Sequence, residues 1–189
     1  MKAVKSIVGL IIRLYAGWEF LSAGLGKWKT GFNGKSVAGF LQGGLAQTHD
    51  ALLASKGPQA AAHANVTDTW AWLINHVFLP SSGVFAIVVK TGEVLIGLGL
   101  ILGCFTFLAA AFAMLMNFSF MFTGTVSSNP VLLFWFTILF VIGTAAYDIG
   151  IDRFLMPQLT GKFPALKGKF LARFFQPKEE GSVLPHAAK

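Results

Sequence analysis

Long apolar stretches separated by polar segments dominate the pattern of this chain. One covers residues 7–25, a second covers 84–125 and is long enough for two crossings, and a third covers 131–149. A helix of about 20 apolar residues spans the hydrocarbon core of a bilayer. The pattern predicts an all-α integral membrane protein. It would be a four-helix bundle with spans at about 7–25, 84–103, 106–124 and 131–149, and a tight turn near 103–106.

Two regions outside the spans carry weaker patterns. Residues 27–83 form an extramembrane loop in which the Ala/Gly-rich part, 36–63, predicts one or two short helices. The stretch 68–79 is amphipathic, and we expect a helix capped by Asp68 and ended by Pro80. Residues 1–157 are thus predicted to form the membrane domain. Residues 158–189 form a basic tail, either an amphipathic helix on the anionic inner leaflet or a disordered segment.

Small residues recur within the first two spans. Ala16-Gly17 and Ala23-Gly24 are seven residues apart, and glycines recur at 92, 99 and 103. Small side chains let helix backbones approach closely in lipid. The spacing predicts packed helices rather than isolated spans.

Charged residues inside the spans are the main candidates for a functional site. Arg13 and Glu19 lie in the first span, and Lys90 and Glu93 lie three residues apart in the second. A charge at the bilayer centre costs about 2.5–3.5 kcal/mol on insertion scales, so such residues usually face the bundle interior and pair. Arg13 and Glu19 are six residues apart and point in different directions. We therefore expect two interhelical pairs, Arg13–Glu93 and Glu19–Lys90, which either orient the helices or form a proton-coupled site.

The distribution of Lys and Arg predicts the orientation. With four spans both termini lie on one side, which holds nine basic residues, whereas the loop at 27–83 holds four. Basic residues favour the cytoplasmic side. We expect a multi-pass protein of the cell membrane with both termini cytoplasmic. The net charge of +7 then reflects topology and lipid contact, and no nucleic-acid-binding signature accompanies it.

Several chemistries are excluded or left without a motif. A single cysteine, Cys104, rules out a mechanism that needs cysteine pairs within this chain. None of the four histidines lies in a span, which argues against haem held by facing helices. No haem, flavin or metal motif is evident. Asn117 is a lone amide in the third span, and it would bond either another helix or a ligand carbonyl.

Motifs in a fixed order resemble the DoxX/DoxD family. They are Arg13-x-x-x-Gly17-Trp18-x-Phe20-x-x-x-Gly24-x-x-Lys27, Gly92-Glu93-x-x-x-Gly97-x-x-Leu100-x-x-Gly103, Asn129-Pro130, and Tyr147-Asp148-x-Gly150-x-Asp152-Arg153. The resemblance covers about residues 7–157. It implies a four-helix membrane fold. The DoxD subunit of thiosulfate:quinone oxidoreductase, which works with a DoxA subunit, is the family's named member.

The resemblance implies a membrane redox protein that passes electrons from a small reduced donor, with thiosulfate as the candidate, to quinone as a substrate. On this hypothesis Glu93 and Glu19 move protons, and the quinone or the anionic donor is bound by Arg13, Lys27, Lys90 and Asn117. Expected partners are membrane lipid and either a DoxA-like second subunit or a soluble redox enzyme, with a homo-oligomer left open. Two other functions remain open, namely a non-catalytic scaffold for a soluble redox or detoxifying enzyme, and a small-solute transporter.

Overall fold

The computed structural model describes residues 2–162, in which the regular elements are helices. A π-helical turn, Ile74–Phe78, follows the fifth helix, and a 3-10 turn, Gly143–Tyr147, follows the eighth. The α-helices in chain order are α1 (Lys2–Lys29), α2 (Gly34–Leu45), α3 (His49–Lys56), α4 (Pro58–Ala61), α5 (Asp68–Leu73), α6 (Ser82–Leu102), α7 (Thr106–Phe122), α8 (Asn129–Ile142) and α9 (Asp152–Lys162).

The predicted membrane bundle is confirmed, with changes at two helix ends. Three segments are long and apolar enough to cross a membrane, Lys2–Lys29, Ser82–Leu102 and Asn129–Ala146, and α7 is a shorter apolar helix of 17 residues. α1 continues past the expected end near residue 25, so Lys27 lies in a helix and not in the loop. The α-helical part of the fourth span ends at Ile142, because Gly143 has a φ of +68°.

Glycines bring α1 and α6 into close antiparallel contact. A Cβ built on Gly97 would lie 2.6 Å from the Leu21 amide nitrogen and 2.8 Å from the Gly17 carbonyl oxygen. A Cβ on Gly24 would meet the Val94 amide nitrogen at 2.8 Å. The small-residue seam predicted on the first helix is confirmed. On the second helix the closest approach is at Gly97, which is not one of the glycines predicted to form the stripe.

A tight turn at one end of the bundle joins α6 to α7. Gly103 ends α6 with a φ of +63°, and Phe105 precedes α7 with a φ of 51°. This confirms the turn expected near 103–106. Between the helices, small residues and aromatic rings fill the core, and the rings of Phe20 on α1 and Phe136 on α8 meet edge to face with centroids 6.0 Å apart.

The segment from residue 30 to residue 81, which we call the cap, packs on the other end of the bundle. Asn33 starts α2 by accepting hydrogen bonds from the amides of Lys35 and Ser36, as N-cap residues do. An apolar cluster holds the cap to the first turns of α6; it contains Val37, Leu41, Val66, Ile74 and Ala86.

Two details of the cap differ from the sequence-based expectation. Three short helices, α2 to α4, replace the one or two expected. Thr67 caps α5 instead of Asp68, because its hydroxyl accepts from the Trp70 amide. The predicted basic tail helix falls mostly on residues 163–189, which lie outside the described residues.

Candidate functional site

A buried ion pair joins α1 and α6 at the end of the bundle that carries the cap. The Lys27 ammonium donates to both carboxylate oxygens of Glu93 at 2.7 Å. The Glu93 side chain is 4% exposed and that of Lys27 is 26% exposed. The missing side chain of Gly24 brings α1 against the Glu93 Cβ. The carboxylate is thus enclosed between two helices, and its partner retains an opening to the outside.

A second cation lies beside this pair. The Lys90 ammonium is 4.0 Å from the Trp28 ring centroid and donates to the Phe32 carbonyl at 3.4 Å. A cation over an aromatic face is attracted by the ring quadrupole. Within residues 2–162 no carboxylate lies at ion-pair distance from Lys90. Lys27, Glu93 and Lys90, which we call the Lys27 cluster, therefore carry one surplus positive charge among their three side chains.

The two expected pairings, Arg13–Glu93 and Glu19–Lys90, are wrong. Because Gly24 meets Glu93 and Gly17 meets Gly97, the antiparallel register places Glu93 level with the end of α1. Arg13 lies 14 residues before Lys27, about 21 Å along the helix. The pairing was misjudged because the first helix was expected to end before Lys27, which left that lysine out of the helix interface.

Two other candidate residues lie apart from this cluster. The Glu19 side chain is partly exposed, and no hydrogen bond or ion pair involves it in the part of the chain that the structure describes. Asn117 is buried and donates to the Ala113 carbonyl of its own helix at 2.9 Å. The bond to another helix that was one expectation for Asn117 is not present among the described residues. The ligand-binding or catalytic roles of both residues stay predictions.

Arg13 forms a separate network at the opposite end of the bundle. It is 1% exposed. Its Nε donates to the Leu100 carbonyl at 2.9 Å, and its Nη1 donates to the carbonyls of Ala146 at 2.9 Å and Ile149 at 2.7 Å. Gly103 makes room for the guanidinium, since any Cβ there would collide with it. Main-chain oxygens thus hold this charge in place, and ligand binding by Arg13 stays a prediction.

Asp152 is a buried acid that the sequence reasoning did not select. Its two oxygens accept hydrogen bonds from the amides of Phe105 and Thr106, both at 2.7 Å. These are N–H groups at the start of α7, which lack partners within the helix. The available signal was the motif Asp148-x-Gly150-x-Asp152, but nothing in the sequence indicated a contact with a turn 46 residues away.

A large apolar cavity lies between α6 and α7 beneath the cap, and we call it the lateral cavity. Its volume is about 660 Å³. The cap contributes aromatic side chains to one end of it: Phe32, Phe40, Trp70 and Phe78. The two helices contribute Ile87, Val88, Thr91, Leu95, Phe112, Leu115, Met116 and Ser119. Phe32 also lies 5.7 Å from the Lys27 ammonium, so one ring borders both the cavity and the Lys27 cluster.

Few polar groups face the lateral cavity. Trp70 Nε1 donates to Thr123 Oγ1 at 3.0 Å, and the Thr123 hydroxyl donates to the Ser119 carbonyl at 2.8 Å. The Ser119 hydroxyl donates to the Leu115 carbonyl at 2.9 Å. The hydroxyl of Thr91 has no hydrogen-bond partner among residues 2–162. No group of three His, Cys, Asp or Glu side chains in the described residues could hold a metal ion.

The long apolar helices and the charges buried between them define an integral membrane protein with a helical bundle. The family model for DoxX matches residues 8–126, which is more than half of the chain. The chain belongs to the DoxX family. No curated protein and no solved structure matches it.

Proposed function

We propose that this DoxX-family protein is a membrane redox subunit that passes electrons from a small anionic donor, thiosulfate being the candidate, to quinone. The observation that carries the proposal is the adjacency of two sites. An apolar cavity of about 660 Å³ shares the Phe32 side chain with a buried ion pair, Lys27–Glu93. Quinone reduction needs an apolar space for the ring and a route for protons.

The lateral cavity fits a quinone in size and chemistry. Small-molecule pockets are typically about 300–1,000 Å³, mostly apolar, with a few polar groups that fix orientation. The cavity has that volume, aromatic walls and the free hydroxyl of Thr91. A quinone needs hydrogen-bond donors only at its carbonyl oxygens, so a cavity with few polar groups suits it.

The Lys27 cluster supplies the charges that the reaction needs. Two thiosulfate ions that join through a new sulfur–sulfur bond, as tetrathionate, release two electrons, and quinone takes up these electrons with two protons to become quinol. Glu93 is enclosed, whereas Lys27 is partly open to the outside, so the pair can exchange protons between water and the bundle interior beside Phe32, the ring that borders the cavity. The surplus positive charge on Lys90 attracts an anionic donor to the same end of the bundle.

Glu93→Gln tests this proposal, with Asp50→Asn as the matched control. Both changes replace a carboxylate with its amide, but Asp50 lies on α3 in the cap, with a side chain that is 95% exposed. Each protein is purified gently from its membrane. Bound quinone is extracted and measured by mass, and thiosulfate-driven quinone reduction is followed in the ultraviolet. We expect wild type and Asp50→Asn to carry quinone and turn over. Glu93→Gln should keep quinone, because Glu93 does not line the cavity, and should lose turnover.

Two results would contradict the proposal. One is wild-type protein that carries no quinone and shows no quinone-dependent oxidation of thiosulfate. The other is a Glu93→Gln variant with wild-type turnover. In the first case, capture of a soluble redox enzyme by the full chain becomes the next experiment, since the scaffold function would then lead.

We also propose that the protein lies in the cell membrane with both termini in the cytoplasm. Arg13 contacts Gly103, so the α6–α7 turn and the first half of α1 lie at the same end of the bundle. Cys104 is the only cysteine and is partly exposed in that turn. A membrane-impermeant maleimide should label Cys104 in inverted vesicles and not in right-side-out vesicles. The reverse pattern would place the termini outside.

A further inference from the structure

The lateral cavity extends to both sides of the level of Lys90 on α6, where we expect the membrane surface. Lys27, Trp28 and Lys90 lie at one height, because the Lys90 ammonium contacts the Trp28 ring. Lysine and tryptophan collect at the boundary between lipid and water. The cavity follows α6 from Phe85 to Ile96, about 16 Å at the helical rise. One part of it therefore lies at the depth of the lipid tails, and the other lies under the cap.

The part at lipid depth opens sideways. Leu95 on α6 and Leu115 on α7 line the cavity, and they are 63% and 60% exposed on the surface of the protein. This surface contacts lipid tails in a membrane. The cap covers the opposite end with the rings of Trp70 and Phe78, whose centroids are 5.4 Å apart. A molecule dissolved in the bilayer can thus reach the cavity between α6 and α7 without crossing water.

Thr91 lies one residue after Lys90, at the same membrane level. Thr91 lines the cavity and its hydroxyl has no partner in the described part of the chain, whereas the hydroxyls of Ser119 and Thr123 already donate to main-chain carbonyls. A threonine hydroxyl in a helix commonly donates to the carbonyl four residues earlier. Thr91 does not, so its proton is available to an acceptor in the cavity.

We propose that a ring compound carried in the bilayer enters the lateral cavity sideways between α6 and α7, and that Thr91 donates a hydrogen bond to one of its carbonyl oxygens. The aromatic end walls favour a flat ring, since aromatic faces and edges pack against it. The ring occupies the part of the cavity under the cap, and any alkyl tail remains among the lipid tails. The proposal rests on the proposed function only in the choice of a quinone as probe.

Thr91→Val tests the hydrogen bond, because valine keeps the shape and removes the hydroxyl, and Thr91→Ser restores the hydroxyl. The probe is a photoreactive azidobenzoquinone with a decyl tail, added to the purified full chain in nanodiscs. A non-reactive decyl benzoquinone competes with it. We expect labelling of α6 or α7 peptides that line the cavity. Thr91→Val should raise the concentration of decyl benzoquinone that halves the labelling by about two- to tenfold, the range for one hydrogen bond. For Thr91→Ser this concentration should stay near that of wild type.

Leu95→Trp tests the sideways entrance, with Leu98→Trp as the control. Leu98 is also exposed on the lipid-facing surface of α6 but does not line the cavity. Leu95→Trp should reduce labelling strongly, and Leu98→Trp should not. The inference is overturned if labelling falls outside the cavity or resists competition. It is also overturned if Thr91→Val and Leu95→Trp both behave as wild type while their thermal unfolding is unchanged.

The outcomes also separate this inference from the proposed function. Thr91-dependent labelling without any thiosulfate-driven turnover overturns the redox proposal and leaves the ligand site intact. Turnover that depends on Glu93 but is insensitive to both Thr91→Val and Leu95→Trp supports the redox proposal and overturns the ligand site at Thr91.

Discussion

Removing Lys27 should lower the free energy of unfolding more than removing Glu93, because the two side chains of the pair differ in exposure. Lys27→Met leaves the Glu93 carboxylate enclosed at 4% exposure with no cation at ion-pair distance among the described residues, and leaving a buried charge unpaired costs about 3–5 kcal/mol. Glu93→Gln leaves Lys27, which is 26% exposed. The long lysine side chain can extend towards water, so the cost should be nearer about 1–2 kcal/mol, mainly a lost charge-assisted hydrogen bond.

A double substitution sharpens this prediction. Lys27→Met with Glu93→Leu removes both charges and fills the space with apolar atoms. Replacing a whole buried ion pair in this way is often neutral or stabilising, so we expect a free energy of unfolding within about 1 kcal/mol of wild type. The free energies are measured by reversible SDS titration in bicelles, and the double-mutant cycle, with Lys27→Met and Glu93→Leu as its two single variants, isolates the coupling.

Two results would refute this reasoning. If Lys27→Met lowers the free energy of unfolding no more than Glu93→Gln does, the difference in side-chain exposure does not control the stability of the pair. If the double variant loses as much free energy of unfolding as Lys27→Met and Glu93→Leu lose in sum, the two groups are not coupled, and the hydrogen-bond geometry seen at 2.7 Å has no energetic consequence.

Two further predictions concern packing and thiol reactivity. Gly97→Ala should destabilise the protein by about 1–3 kcal/mol, the usual range for overpacking, because its Cβ would meet the backbone of α1. Gly26→Ala, where a Cβ meets nothing within 4 Å, should be neutral or stabilising in the same unfolding assay; equal effects would contradict the close approach. Burial and the negative charge of Asp152 raise the pKa of the Cys104 thiol, so less thiolate is present at neutral pH. Maleimide labelling should therefore be slow at pH 7 and accelerate in alkaline solution, and Asp152→Asn should shift the rate profile to lower pH; an unshifted profile would contradict the electrostatic effect.

The sequence predicted the class of fold well because local patterns encode it. Apolar length located the membrane helices, and Gly103 located the turn between α6 and α7. The helix ends were less accurate. α1 runs past Gly26, because a glycine with open space around it does not by itself end a helix.

Three of the six candidate residues lie together in the Lys27 cluster, but the geometry of that cluster was not predicted. Glu93 and Lys27 were both named, but the partner of Glu93 depends on the register of α1 against α6. That register is set by Gly97 meeting Gly17, which no local pattern reveals. The lateral cavity was not foreseen, since its walls bring together segments as distant in the chain as Phe32 and Phe112.

The bonding of Arg13 has a consequence for how this protein can change during evolution. A lysine and a glutamate that pair through side chains can in principle exchange places, or be lost together. The Arg13 guanidinium instead bonds three main-chain oxygens, which every residue type at positions 100, 146 and 149 would provide. Substitutions at those positions therefore leave its partners in place, although core packing limits the side chains at 100 and 146, whereas a change of Arg13 itself removes the donor of all three bonds. Selection is then concentrated on Arg13 and on Gly103, where any side chain would displace the guanidinium.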